Sequence, residues 1–230
     1  MKFSIVIPLY NEEDNIELLI KEINEALFNL ESLFEIILVD DGSEDNTIKI
    51  IKSINSNNLI IVQNSKNYGQ SYSLREGIKR ANNNIIVVLD GDMQNNPHDI
   101  SALIDLYKTG SFHLIGGIRR KRRDNFIKIF SSYIANKIRM FILKDDCIDT
   151  GCSLKVFDKN IFLKFPYFDG LHRFLPALFK GYGYKTSFVE VDHRKRYRGS
   201  SKYGTLSRLF WGVRDIFKVI KIINKNKINE

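Results

Sequence analysis

The stretch Ile85-Ile86-Val87-Val88-Leu89-Asp90-Gly91-Asp92-Met93-Gln94 sets an unbroken apolar run directly against two carboxylates. An apolar run with no polar alternation is what a strand buried on both faces of a parallel sheet requires. The same arrangement occurs twice upstream, where residues 3–7 lead into Pro8-Leu9-Tyr10-Asn11-Glu12 and residues 35–39 lead into Asp40-Asp41-Gly42-Ser43. Short runs at 59–63 and 113–115 complete a set of five strands. Helical patterns separate them at 15–28, 47–53, 72–80 and 97–107, the last with Pro97 suited to a first turn. This alternation predicts an α/β fold, a mostly parallel, Rossmann-like sheet flanked by crossover helices.

Ligands of such a sheet bind in the crevice beyond the carboxyl ends of the strands, so the three polar tips are expected to converge on one site. Asp90 and Asp92, one small residue apart, are expected on the same side of an extended backbone, with Gln94 two residues further on. Oxygen-only ligands favour Mg²⁺ or Mn²⁺ over Zn²⁺. A turn rich in Asp for local hydrogen bonding is the competing reading of the same tripeptide. Asp41 weighs toward a ligand or cation, because acidic groups at two neighbouring tips repel unless one lies between them.

Beyond Gly117 the regular alternation ends. A basic run, Arg119-Arg120-Lys121-Arg122-Arg123, precedes an amphipathic helix at 126–143, a strand at 154–157, helical segments around Asn160 and Phe174, and a strand at 186–191. The last helix carries Leu206, Leu209, Phe210, Val213, Ile216, Phe217, Ile220 and Ile223 on one stripe and Arg208, Arg214, Lys218 and Lys221 on the other face. That stripe suits the protein's own core, a second subunit or a membrane surface. The chain of 230 residues has a net charge of +8, but residues 1–110 hold 9 Lys and Arg against 17 Asp and Glu, and residues 111–230 hold 26 against 10. The second half is thus expected to face something anionic.

One globular domain at 1–204 and a basic amphipathic helix and tail at 205–230 are expected. No run reaches the roughly 18 apolar residues of a spanning helix, which leads to the expectation of a cytoplasmic protein. Cys147 and Cys152 lack metal or redox spacing and read as reduced thiols. His172 is expected to cap or pack, and His193 to shape a loop.

The segments at 5–12, 39–43 and 89–94 together resemble the opening motifs of family 2 glycosyltransferases of the GT-A fold. Gly117-Ile118-Arg119, Asp149-Thr150-Gly151-Cys152 and Arg198-Gly199-Ser200-Ser201-Lys202-Tyr203 are similar to the dolichyl-phosphate mannose synthase branch, so the resemblance covers nearly the whole chain. The resemblance implies that Pro8, Tyr10, Glu12, Val39 and Asp41 hold the nucleoside, that Asp90 faces the donor, and that Asp90, Asp92 and Gln94 bind the metal on the diphosphate. It also implies that Arg119, Arg198 and Lys202 contact phosphates or the acceptor.

The implied function is inverting, metal-dependent transfer of a hexose, by default mannose from GDP-mannose, to dolichyl or polyprenyl phosphate at the inner face of the membrane. The implied partners are a nucleotide sugar, a polyprenyl phosphate and an anionic membrane surface. The alternative is a transferase using a UDP-sugar, glucose or an amino sugar, on undecaprenyl phosphate. A nucleotidyltransferase is disfavoured because Tyr10-Asn11-Glu12 stands where a Gly- and Arg-rich phosphate loop is needed. A non-catalytic nucleotide-sugar or membrane-binding module is disfavoured because Asp41, Asp90 and Asp92 are all present. The basic run lacks interleaved aromatics or a nucleic-acid motif, so no nucleic-acid partner is expected.

Overall fold

The computed structural model describes residues 1–29, 34–120, 136–194 and 205–228, the last stretch with side chains from 214 onward. Seven strands form one sheet: β1 (Phe3–Leu9), β2 (Phe34–Asp40), β3 (Leu59–Gln63), β4 (Ile85–Val88), β5 (Leu114–Arg119), β6 (Lys155–Asp158) and β7 (Thr186–Val191). Their order is β3-β2-β1-β4-β6-β5-β7. β6 runs antiparallel to both of its neighbours, and the other pairs are parallel. The expected α/β class and mostly parallel sheet are the observed ones.

The period of two along each strand divides the apolar residues between two cores. Phe3, Ile5, Ile7 and Leu9 of β1, Ile36 and Leu38 of β2 and Val87 of β4 face one layer. That layer is covered by α1 (Ile16–Leu27), α2 (Thr47–Ser53) and α4 (Ile100–Lys108). Val6, Ile37, Val39, Ile86 and Val88 face the other. It is closed by α3 (Gln70–Arg80), a helix described over 136–143 (α5), α6 (Lys159–Lys164), α7 (Leu175–Gly181) and α8 (Thr205–Ile228). Burial on both faces is why these strands read as continuous apolar runs.

Two expected boundaries differ. The helix anticipated at 97–107 opens as a 3-10 turn, Pro97–Asp99, in which the Asn96 side chain accepts from the His98 N–H before α4 begins. β5 runs on through Gly116 and Gly117 to Arg119, beyond the expected end at Ile115. A Cβ on Gly117 would stand 2.8 Å from Cys152 Sγ and 2.9 Å from Val191 Cγ2, so the glycine admits close packing inside a strand.

The described part of α8 packs on the chain's own core. Val219 is fully buried and Ile223 is 8% exposed, and Ile223 fills the space over Gly181 of α7. Phe217, which shares the predicted stripe, points to solvent at 67% exposure. Asp215, 1% exposed, fixes the helix by an ion pair with Arg173 at 2.8 Å. Ile223→Ala is expected to lower the unfolding free energy by about 2 kcal/mol in urea titrations, at the low end for a core deletion because its edge is open. An unchanged midpoint would show that α8 adds nothing to the core.

Candidate functional site

The tips of β1 and β2 are tied together by side chains that serve backbone donors. Asn11, at φ 53°, donates its N–H to Ser43 Oγ at 2.9 Å, and its Oδ1 accepts from the Glu44 N–H at 2.8 Å. The Glu12 N–H donates to Thr47 Oγ1 at 2.8 Å, and the Glu12 carboxylate accepts from Asn15 Nδ2 at 2.7 Å. Asp41, 3% exposed, accepts from Asn64 Nδ2 at 2.7 Å and from the N–H groups of Tyr68 at 3.0 Å and Gly69 at 2.8 Å. Gly42 permits this clamp. Its φ is 69°, and a Cβ there would lie 2.5 Å from the backbone carbon of Lys66.

Asp41 thus holds the loop that carries Tyr68, whose ring lies 4.6 Å from that of Tyr72. Val39, anticipated at the nucleoside, has its side chain fully buried under α3. Pro8 and Tyr10 remain partly accessible at the tip of β1.

The Asp90-Gly91-Asp92 segment is a turn rather than the extended backbone anticipated, and Met93 closes it at φ 63°. The apolar Met93 side chain is buried in the core layer that α1 and α4 cover. Asp90 still meets Asp92 electrostatically. Burial, the Asp92 charge and, more weakly, Glu12 push the Asp90 carboxyl up to about 6, against the opposing pull of Ser153 and Lys155. Asp90 also accepts from Gln70 Nε2 at 2.7 Å. Gln94 turns toward the end of β7, where its Nε2 lies 3.4 Å from His193 Nε2 and donates to the Arg194 carbonyl at 3.3 Å.

Among the described residues no group of three His, Cys, Asp or Glu side chains could hold a metal alone. The repelling carboxylates of half-buried Asp90 and buried Asp92 nevertheless suit a hard divalent cation, for which Gln94 and a ligand's phosphates would supply further oxygens.

The antiparallel course of β6 brings residues to this point that no tip motif includes. Lys155 pairs with Val88, so the segment before β6 lies beside Asp90. There Ser153 Oγ donates to Asn95 Oδ1 at 2.6 Å, and the same oxygen accepts from the Asp90 N–H at 3.3 Å. Behind Asp90 is a cavity of about 170 Å³ lined by Gln70, Asp90, Thr150, Ser153, Lys155 and His172 among others. His172 Nδ1 lies 2.7 Å from Ser71 Oγ, which also accepts from the Gly170 N–H. Burial, then the Arg173 and Lys155 charges, push His172 down to about 3, so it is neutral. The packing role expected for His172 agrees with this, though its place on a cavity wall was not expected. A polar residue before a short helix carries no signal that a distant serine meets it.

Arg119, anticipated at phosphates or the acceptor, makes a two-pronged ion pair with Asp149, Nε to Oδ2 and Nη2 to Oδ1, each at 2.7 Å. Gly151 leaves the room for it, because a Cβ there would lie 2.6 Å from Arg119 Nη2. Arg198 and Lys202 lie outside the described residues, as do 121–123 of the basic run.

The family model for glycosyl transferase family 2 matches residues 4–165, a stretch that holds all three carboxylate tips and the start of β6. The chain belongs to that family. The glycosyltransferase class anticipated from the motifs is therefore the class of its family. A dodecaprenyl-phosphate galacturonate synthase of Rhizobium johnstonii is 33% identical over 226 residues, 96% of this chain and 67% of the relative. An undecaprenyl-phosphate 4-deoxy-4-formamido-L-arabinose transferase of Aeromonas hydrophila is 31% identical over 206 residues, 88% of this chain and 63% of the relative. The chain thus spans about two thirds of the length of these relatives.

Among solved family-like folds, glucosyl-3-phosphoglycerate synthase of Mycobacterium tuberculosis, in complex with Mn²⁺, UDP and phosphoglyceric acid, superposes with a TM-score of 0.68 at 18% identity. The match covers 95% of this chain and 77% of that one. Mannosyl-3-phosphoglycerate synthase of Rubrobacter xylanophilus gives 0.72 at 14% identity over 95% and 73%. The two curated relatives name sugars other than mannose, which favours the undecaprenyl-phosphate alternative over the mannose default.

Two outcomes follow from this family 2 site. Removing the Asp41 clamp by Asp41→Ala should cost about 3 kcal/mol and speed amide exchange at Tyr68 and Gly69, because it strands buried backbone donors. Unaltered exchange at those amides would mean that the loop is held elsewhere. The second concerns pH. The folded-state value of His172 lies below its unfolded value of 6.5, so between about 6.5 and 3 the unfolded chain binds the extra proton and stability falls as pH falls. Relative to His172→Gln, the wild type should lose at most about 1.4 kcal/mol for each unit below about 6.5. Parallel pH–stability curves would place His172 in water.

Proposed function

We propose that this family 2 chain transfers a sugar, with inversion, from a nucleotide diphosphate to a polyprenyl phosphate at the inner face of a membrane. The observation that carries the reading is the juxtaposition of the Asp90–Asp92 turn, where Asp92 is buried and Asp90 half-buried, with a cavity of about 170 Å³ that Asp90 itself lines. Relatives over nearly the full chain, whose names specify sugar transfer to dodecaprenyl or undecaprenyl phosphate, support the acceptor. The wall residues do the positioning: Gln70 orients Asp90, Ser153 and Asn95 brace its backbone, and Gly42 with Asp41 sets the loop beside the nucleoside end.

Asp90, Asp92 and Gln94 would hold Mg²⁺ or Mn²⁺, which when bound would offset the charge growing on the departing diphosphate. Mn²⁺ accompanies UDP in the M. tuberculosis neighbour. Arg198 and Lys202 are assigned to the acceptor phosphate on the strength of the motif at 198–203. That phosphate already bears a nucleophilic oxyanion near neutral pH, and His172, down at about 3, is too weak a base to be needed.

The membrane contact is assigned to α5 rather than to the apolar stripe of α8. Ile138, Phe141 and Ile142 are 54%, 86% and 42% exposed, and Ile148 beyond the helix is 55% exposed. A buried Arg139–Asp145 pair at 3.0 Å anchors the end of the helix so that these side chains stay outward. Lys137 and Lys144 flank them, and a basic, apolar surface suits an anionic bilayer. No helix among the described residues is long and apolar enough to cross a membrane.

Incubation with a panel of nucleotide sugars, Mn²⁺ and undecaprenyl phosphate should yield a lipid-linked sugar, and Asp92→Asn should reduce its formation at least about 100-fold. Free undecaprenol should not be glycosylated, for want of a base. A variant as active as the wild type, or equal rates on alcohol and phosphate, would overturn the assignment.

A further inference from the structure

We infer that the cavity behind Asp90 takes the donor's sugar ring and that Lys155 makes it selective for a sugar bearing a carboxylate, a nucleotide-activated uronic acid. This rests on the transferase reading above and names the substrate class of the same site. Lys155 is 4% exposed and lines the cavity. Its ammonium donates to the backbone carbonyl of Cys152 rather than to a side-chain carboxylate. An ammonium kept out of water is costly unless a counter-charge meets it, and a carbonyl dipole is only a partial answer.

Asp90, the carboxylate on the same wall, is hydrogen bonded to Gln70 and repelled by Asp92, and its charge is the one a donor-bound cation would engage. Arg173 lines the cavity as well. Its partner Asp215 is shared with Arg214 at 3.7 Å and Lys218 at 3.4 Å, so this corner carries more positive than negative charge. His172, neutral chiefly through its burial and then through the Arg173 and Lys155 charges, adds no counter-charge there.

The position of Lys155 decides which anion it meets. Because Lys155 stands opposite Val88, it lies two residues deeper along the sheet than the Asp90 turn where a diphosphate's cation would sit. A group reaching Lys155 enters past that turn, as the far side of the sugar ring does and the diphosphate does not. The volume of about 170 Å³ admits a single ring. The neutral lining, Gln70, Thr150 and Ser153, supplies amide and hydroxyl partners for ring hydroxyls. A carboxylate at the end of that ring would complete the ion pair Lys155 lacks.

The test measures binding of UDP-glucuronate, UDP-galacturonate, UDP-glucose, UDP-galactose and UDP to the full chain with Mn²⁺ by calorimetry, with GDP-mannuronate and GDP-mannose as a second pair. At least one uronate donor should bind about tenfold or more tightly than its neutral counterpart, the scale of one charge-assisted hydrogen bond. Lys155→Met should erase that preference while leaving UDP affinity within about twofold, and Lys155→Arg should keep most of it. Neutral donors binding as well as every uronate in the wild type would overturn the inference, whatever the variants do. A Lys155→Met variant that retains the preference would overturn it too, and one that instead weakens binding of undecaprenyl phosphate would move Lys155 to the acceptor. Formation of a lipid-linked neutral sugar in the transfer assay with undecaprenyl phosphate would leave the transferase reading standing while the uronate assignment fell, so the two fail separately.

Discussion

The pairing of Val88 with Lys155 is the contact on which the site depends. Strand β6 enters the sheet against the direction of β4, so its beginning, not its end, lies at the carboxylate tips. An antiparallel neighbour delivers the chain that precedes it to the crevice, whereas a parallel one would deliver the chain that follows. Thr150, Ser153 and Lys155 reach the cavity beside Asp90 for this reason, and without the reversal Lys155 would not line it. The same reversal places Asp149 beside the end of β5, where it takes the guanidinium of Arg119.

Charge at the tips is managed in two ways. Asp41 satisfies itself locally with three donors and becomes a structural clamp for the loop at 64–69. Asp90 and Asp92 repel each other, and burial together with that repulsion raises the Asp90 carboxyl to about 6. Two carboxylates in mutual repulsion are stabilised when something positive comes between them, which is why the turn suits a cation although its geometry is not the extended one anticipated. The 14–18% identity to solved structures with the same fold shows how much sequence can change within this fold.

The terminal helix and α5 divide the roles that their amphipathic patterns left open. Both carry apolar stripes beside basic residues. Val219 and Ile223 of α8 fill space over α7, and Asp215 locks the helix to Arg173 at the cavity wall. In α5 the large apolar groups Phe141 and Ile138 stand outside while Arg139 is drawn inward to Asp145. A hydrophobic stripe states that something apolar will cover it but not what, because the pattern is the same for a core, a partner or a bilayer.

The sequence by itself determined the sheet, its parallel half and the three carboxylate tips. Those features rest on local information: an apolar run with no alternation, a strand-ending polar cluster and the spacing between them. The motif resemblance likewise led to the family from Asp41, Asp90 and Asp92. What only the tertiary structure decided are relations between residues far apart in the chain. Among these are the Ser71–His172 contact across 101 residues, the Arg119–Asp149 pair, the burial of Val39 under α3 and the approach of Lys155 to Asp90. A lone buried lysine or histidine leaves no periodic trace, since its burial is set by the strand that pairs beside it and the helix that packs above it. Direction of β6 is the clearest case: its four residues read the same whichever way they run, and only their partners in β4 and β5 settle the matter.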